Sequence, residues 1–157
     1  MKLYLLRHAD AATEAATDDE RTLSTKGVKQ SKCVAGFCRQ QGVAPVLILT
    51  SPLPRARQTA KPVADKLGID IETAPWLACG SEPAQILRQL AGRKEVPSLM
   101  LVGHEPDFSL LVAALIGAEN EAVRVRKATL LLLEVTEFRP GGARLEWSIP
   151  VKQMEAK

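Results

Sequence analysis

Only two histidines occur in this 157-residue chain, and each follows a short apolar run. His8 comes after Lys2-Leu3-Tyr4-Leu5-Leu6-Arg7, and His104 after Leu99-Met100-Leu101-Val102-Gly103. A third apolar run, Val46 to Leu49, leads into Ser51-Pro52-Leu53-Pro54-Arg55-Ala56-Arg57-Gln58-Thr59. A single histidine at a strand end is ordinarily a satisfied structural residue. Two of them at two such ends, with arginines at the first and second, form a chemical set. A guanidinium offers a planar fork of donors that matches phosphate oxygens and stays charged at any relevant pH. A helix opening just after Ser51 would add unpaired backbone N–H groups and the positive end of its dipole. A neutral imidazole is a good nucleophile when a hydrogen bond fixes one ring nitrogen and leaves the other free. No carboxylate cluster and no HxxxH-type spacing accompanies the histidines, so the set suits an anion and not a metal ion.

These residues need elements to hold them. Lys2 to Leu6 reads as a buried strand, and Ser24-Thr25 as the N-cap of a helix that runs to about Gln41 and stops at Gly42. Val46 to Leu49 is a second strand, followed at once by a helix ending near Leu67-Gly68, and Ile69 to Thr73 is a short third strand. Ser81-Glu82-Pro83 starts a helix that ends by Gly92. Leu99 to Val102 is a fourth strand, with a helix from Glu105-Pro106 through Ile116. Leu130 to Val135 and Arg144 to Ile149 form a hairpin across Pro140-Gly141-Gly142. Alternating strands and helices predict a three-layer α/β/α fold: a mostly parallel sheet, helices on both faces and an antiparallel C-terminal edge. Ligands of such folds bind beyond the carboxyl ends of the strands, where the histidines and arginines fall.

Composition narrows the class. The apolar and charged fractions, 46% and 25%, are those of a globular protein, and the length suits one domain over residues 1–157. A net charge of only +3 and 4% aromatic residues disfavour a nucleic-acid binder. No apolar run is long enough for a signal peptide or a membrane span. Three cysteines make no disulfide framework, which suggests a reducing cytoplasm.

The segments Leu6-Arg7-His8-Ala9-Asp10, Ser51 through Thr59 and Gly103-His104-Glu105-Pro106 resemble the three signatures of the histidine phosphatase superfamily, which includes the cofactor-dependent phosphoglycerate mutases. The small size and the segment Asp18-Asp19-Glu20-Arg21-Thr22-Leu23-Ser24-Thr25-Lys26-Gly27 resemble its SixA-type phosphohistidine phosphatases. The resemblance implies a phosphoglycerate mutase-like fold and a metal-independent phosphatase without cofactor. It makes His8 the nucleophile that carries a transient phosphoryl group, while Arg7, Arg55 and His104 hold the oxygens. Arg21 would add a third guanidinium, or else pair at the surface with Asp18 or Asp19. Arg57 points away from Arg55 on the same helix and faces solvent. Asp10 either orients an arginine or caps a loop.

One departure bears on the substrate. Many phosphomonoesterases and mutases of the superfamily carry a glutamate, their general acid, two residues after a leucine in the loop after the third strand. Leu77-Ala78-Cys79-Gly80 places Cys79 there instead, leaving Glu82, Glu105 or no acid at all. An alkoxide leaving group needs such a donor, worth about 10²–10⁴-fold, whereas a phosphohistidine departs easily as protonated imidazole. That favours phosphohistidine on a protein, and the lack of a long insertion implies an open, shallow site that would admit a side chain on a protein surface; a monomer is expected. The alternatives are a small-molecule phosphomonoesterase and, in another class, a non-catalytic phosphate- or phosphopeptide-binding module. Cys33 through Arg39 has the Cys-x5-Arg spacing of cysteine phosphatases, but it falls inside a helical stretch with Val34, Phe37 and Cys38 at core spacing. Lys26, Lys29 and Lys32 read as a solvated helix face, with docking onto an acidic phosphoprotein as the alternative. Arg124, Arg126 and Lys127 alternate in a loop with no assigned role.

Overall fold

The computed structural model describes residues 1–155. Strand β1 (Lys2–Arg7) is followed by a 3₁₀ turn (Asp18–Glu20), helix α1 (Thr25–Gln40), β2 (Leu47–Thr50), α2 (Pro54–Leu67) and β3 (Ile71–Thr73). Then come α3 (Pro83–Ala91), β4 (Ser98–Gly103), α4 (Asp107–Ile116), β5 (Leu130–Val135) and β6 (Ala143–Ile149). The sheet order is β3-β2-β4-β1-β5-β6. The β1–β4, β2–β4 and β2–β3 pairs are parallel, and β5 joins β1 antiparallel before turning back as β6.

Alternation along each strand separates two cores. Leu3, Leu5, Leu99 and Leu101 face α3 and α4, meeting Ile86, Leu90, Phe108 and Leu111. Tyr4, Leu6, Met100 and Val102 face the other way, onto Val34 and Cys38 of α1 and Ala60 and Val63 of α2. A parallel strand covered on both faces must be apolar throughout, and every residue of β4 is buried. The edge strand β6 alternates between half-buried and exposed instead.

Helix ends follow the expected chemistry. Ser24 caps α1 by accepting the Gly27 N–H at 3.0 Å. α2 and α4 each open slightly later than the sequence predicts. Pro54, with no N–H to leave unpaired, takes the first turn of α2. Ser51 Oγ accepts the Leu53 N–H at 3.2 Å and forms the turn before it. Gly27 has a different duty: a Cβ there would lie 1.9 Å from the Asp10 carbonyl oxygen, so only glycine lets α1 pack against the loop leaving β1.

Candidate active site

β1, β2 and β4 are neighbours in parallel, so their carboxyl ends bring His8, Ser51 and His104 to one edge of the sheet. The two imidazoles face each other with ring centroids 5.2 Å apart and planes tilted by 55°. Arg7 ends β1, and Arg55 reaches in from the first turn of α2. Both are close enough for their charges to depress the pKa of each histidine.

Hydrogen accounting fixes the tautomers. His8 Nδ1 lies 2.7 Å from the Ala9 carbonyl oxygen, which can only accept. The proton therefore sits on Nδ1, and Nε2 keeps its lone pair. Thr59 stabilises this turn from α2: its hydroxyl accepts the Ala9 N–H at 3.0 Å and donates to the Arg55 carbonyl at 2.7 Å. His104 Nε2 lies 2.7 Å from Ser51 Oγ. That hydroxyl accepts the Leu53 N–H, and among its hydrogen-bond partners Nε2 is the acceptor open to its own proton, which leaves the ring proton of His104 on Nδ1.

Both imidazoles are held neutral. Burial, opposed by the Ala9 hydrogen bond and reinforced by Arg55, Arg7 and Lys127, pushes His8 down to about 4. Burial again leads for His104, with His8 and the same arginines adding to it, and lowers it to about 3. Among the described residues, the buried side-chain polar atoms without a partner are Arg7 Nε, Arg55 Nε, His104 Nδ1 and Thr129 Oγ1. The first three are N–H donors around the same histidine pair. These are donors that a bound oxyanion would satisfy, each such hydrogen bond to a charged group being worth about 1.5–3 kcal/mol. Groups of three or more His, Cys, Asp or Glu that could hold a metal ion are absent among the described residues.

The site is more enclosed than the expected open, shallow one. His8 is 7% exposed and His104 1%. Residues 12–21 border it, with Asp18 lying on Arg55. The Asp18 carbonyl oxygen accepts from Arg55 Nη1 at 2.8 Å, and its carboxylate accepts from Nη2 at 3.2 Å. Arg21 is committed to this segment. Its Nε donates to the Ala12 carbonyl, Nη2 to the Ala11 carbonyl and Nη1 to Asp18. The pairing alternative, with Asp18, is thus the one adopted. The third guanidinium is spent on backbone carbonyls and reaches the site only through Asp18.

Arg57 is exposed, as expected. Asp10 caps the loop: it accepts from Ser24 Oγ at 2.6 Å and pairs with Lys127 Nζ at 3.1 Å. Cys79 does border the site, its Sγ 3.4 Å from Arg55 Nη2, on a loop held by the buried Asp107 carboxylate through the Gly80 and Ser81 N–H groups. Glu82 is exposed at the start of α3, whereas Glu105 accepts from the Ser109 N–H and hydroxyl. Cys33 and Cys38 lie within α1, and burial pushes the Cys38 thiol up to about 12, far from a thiolate nucleophile.

Sequence reasoning missed three positioning contacts. Ser51, Thr59 and the Val125 carbonyl, which accepts from Arg7 Nη1 at 2.9 Å, orient residues 53, 50 and 118 positions away. Ser51 and Thr59 stand in the second signature, which was the one available signal.

Residues 3–78 match the model of the histidine phosphatase superfamily (branch 1). The phosphohistidine phosphatase SixA of Escherichia coli K12 is 31% identical over 153 residues, spanning 95% of this chain and 93% of the relative. An uncharacterized protein of Picosynechococcus is 37% identical over 152 residues, 93% of this chain and 89% of its own length. Among solved structures, the protein histidine phosphatase SixA complexed with tungstate superposes with a TM-score of 0.89 at 27% identity, covering 99% of this chain and all of that one.

Proposed function

The chain belongs to the histidine phosphatase superfamily and is of its SixA type; on that premise we propose that it dephosphorylates phosphohistidine on a protein, with His8 as the transient phosphoryl acceptor. The observation that carries this reading is the pairing of a free His8 Nε2 lone pair with three buried, unpartnered N–H donors beside it. In the first step Nε2 attacks phosphorus while the P–N bond of the substrate breaks, and the leaving imidazole takes a proton from water. In the second, water attacks the phosphoryl group on His8, giving inorganic phosphate and the free imidazole. Arg7, Arg55 and His104 Nδ1–H hold the three equatorial oxygens as charge spreads over them, which is where phosphoryl-transfer catalysis lies. Tungstate, a tetrahedral oxyanion like phosphate, is the ligand named for the superposing SixA structure.

The choice of a phosphoramidate rests on the general acid. Cys79 occupies the expected position, Glu105 is engaged by Ser109, and Glu82 is exposed at a helix start. A sugar phosphate would leave as an alkoxide without a donor. The same reading has the chain work as a single-domain monomer in the reducing cytoplasm, in keeping with its free cysteines. Among the described residues, no helix is long and apolar enough to cross a membrane.

The test offers purified protein, with a chelator present, a phosphohistidine-bearing protein, an aryl phosphate and sugar phosphates. Wild type is compared with His8→Ala and Arg55→Ala. The expected result is preferential, chelator-insensitive release from phosphohistidine, abolished in His8→Ala. Arg55→Ala should fall about ten- to hundredfold, the value of one charge-assisted hydrogen bond made in the transition state. Full activity in His8→Ala would sink the nucleophile, and faster turnover of a sugar phosphate would sink the substrate.

A further inference from the structure

Beside the histidine pair lies a cleft of about 880 Å³ whose charged lining is six bases, Arg7, Lys26, Arg124, Arg126, Lys127 and Lys152, against two acids, Asp10 and Glu105. The positive excess in this one cleft is larger than the +3 of the entire chain. Positive charge here is concentrated.

The bases are presented by a rigid backbone. Val125 is fully buried between the exposed Arg124 and Arg126. Its N–H donates to Ser109 Oγ at 3.0 Å, and its carbonyl accepts from Arg7. The next residues are bonded directly to the strand that carries the nucleophile: the Arg7 N–H donates to the Thr129 carbonyl at 3.2 Å, and the Ala128 N–H to the Arg7 carbonyl at 3.1 Å. On the opposite side, Lys26 stands in the first turn of α1 and Lys152 follows the buried Val151. Among the described residues only Lys127, of the six, makes a salt bridge, to Asp10. The cleft is continuous with the site through Arg7, and the charge of Lys127 is felt at His8.

We propose that this cleft is the docking surface for an acidic face of the protein substrate, its carboxylates flanking the phosphohistidine offered to His8. This rests on the phosphohistidine reading above and adds a selectivity that the catalytic residues do not supply. A groove lined by one sign of charge focuses the field, raising encounter rates and selecting partners. Nucleic acid fits less well, because the lining carries no aromatic side chain on which a base could stack and interposes Asp10 and Glu105.

The experiment uses histidine-phosphorylated peptides flanked by glutamates or by lysines, with Arg124→Glu/Arg126→Glu, Lys152→Glu and, as a control distant in the fold, Lys94→Glu. In wild type the ratio of kcat/KM for the glutamate-flanked over the lysine-flanked peptide should exceed one and shrink with added salt. The double variant should lower that ratio about tenfold or more and Lys152→Glu less, while Lys94→Glu leaves it unchanged. An equal ratio in wild type, or an equal change in Lys94→Glu, would overturn the proposal. Fluorescence anisotropy of the unphosphorylated glutamate-rich peptide gives a readout that needs no catalysis. Salt-sensitive binding lost in the double variant supports the cleft even if phosphohistidine is not the substrate, and binding unaffected by the substitutions refutes it. A single-stranded RNA of equal charge that binds more tightly and displaces the peptide would also overturn it.

Discussion

His8 and His104 stand on the ends of two central strands, almost wholly buried, each with one ring nitrogen in a 2.7 Å contact to a fixed oxygen. Asp18 and Arg21, on the segment that reaches over to Arg55, are 67% and 25% exposed and are joined to each other by an ion pair. The floor is preorganised by hydrogen bonds in a low-dielectric setting, where a lost partner leaves an unpaired buried group. The roof is held by ion pairs to one largely solvated carboxylate, that of Asp18, and pairs to a solvated partner contribute little. Chemistry that depends on tautomer belongs on the floor, and competition for Arg55 falls to the roof.

The largest effect short of removing the nucleophile should come from Ser51→Ala. Without that hydroxyl, nothing holds the His104 proton on Nδ1, and with the proton on Nε2 the donor aimed at the phosphoryl oxygens is lost. kcat/KM should fall about 10²-fold, the magnitude for one preorganised transition-state donor. Nitrogen NMR of the imidazoles separates this from a general structural loss: His104 should move toward the other tautomer while His8 stays Nδ1-protonated. A variant with wild-type activity would show that Ser51 does not set the tautomer.

The pH dependence tests the same floor. kcat/KM reports groups of the free enzyme. With His8 pushed from 6.5 to about 4, its lone pair survives into mild acid and is lost only as pH falls through about 4. At about pH 5 an ordinary imidazole would be only ~3% neutral, so the difference is roughly 30-fold. Stability has the same sign. Because His8 and His104 are depressed on folding, the stabilisation they carry is complete above about 6.5 and drains away as pH falls toward 4 and 3, which a thermal melt measured in parallel would follow. An acid limb near 6.5 for activity would mean that burial does not hold His8 neutral.

A smaller loss is expected one step further out. Ser109 accepts the Val125 N–H, and Val125 accepts Arg7, so Ser109→Ala should loosen Arg7 without touching the phosphoryl group. About tenfold in kcat/KM, with His8 and His104 tautomers unchanged by NMR, would fit a positioning role.

The floor was largely legible in the sequence and its supports were not. His8, Arg7 and His104 end apolar runs, and the parallel sheet those runs imply sends their carboxyl ends to one edge. That inference needs only local pattern and one topological rule. Ser51 and Arg55 were visible in a signature, but the bond from Ser51 to His104 joins residues 53 apart, and no local period marks it. Arg124, Arg126 and Lys127 read as a plain basic loop until β5 pairs antiparallel with β1 and brings residues 117 and 118 positions distant into contact. The roof was hardest. Asp18 and Arg21 could be seen as a possible pair, but that Asp18 would also take Arg55 depends on how a segment without strands or long helices folds back toward α2.

Asp18 gives the smallest effect and the sharpest contrast with Ser51. Its carboxylate sits on Arg55, one of the groups assigned to the substrate phosphoryl, so Asp18 and substrate compete for the same guanidinium. Its own pKa is lowered, first by the hydrogen bond from Arg21 and then by the charge of Arg55, so it stays ionised wherever the enzyme works and its competition does not titrate near neutrality. Asp18→Ala should therefore lower KM by about two- to fivefold, the scale of an ion pair with one solvated partner, with kcat nearly unchanged because the floor is intact. Added salt should narrow the gap between wild type and variant, since it screens the solvated Asp18 carboxylate more than the buried donors. A fall in kcat of the size expected for Ser51→Ala would erase the distinction, making the roof part of the catalytic frame and not a displaceable cover.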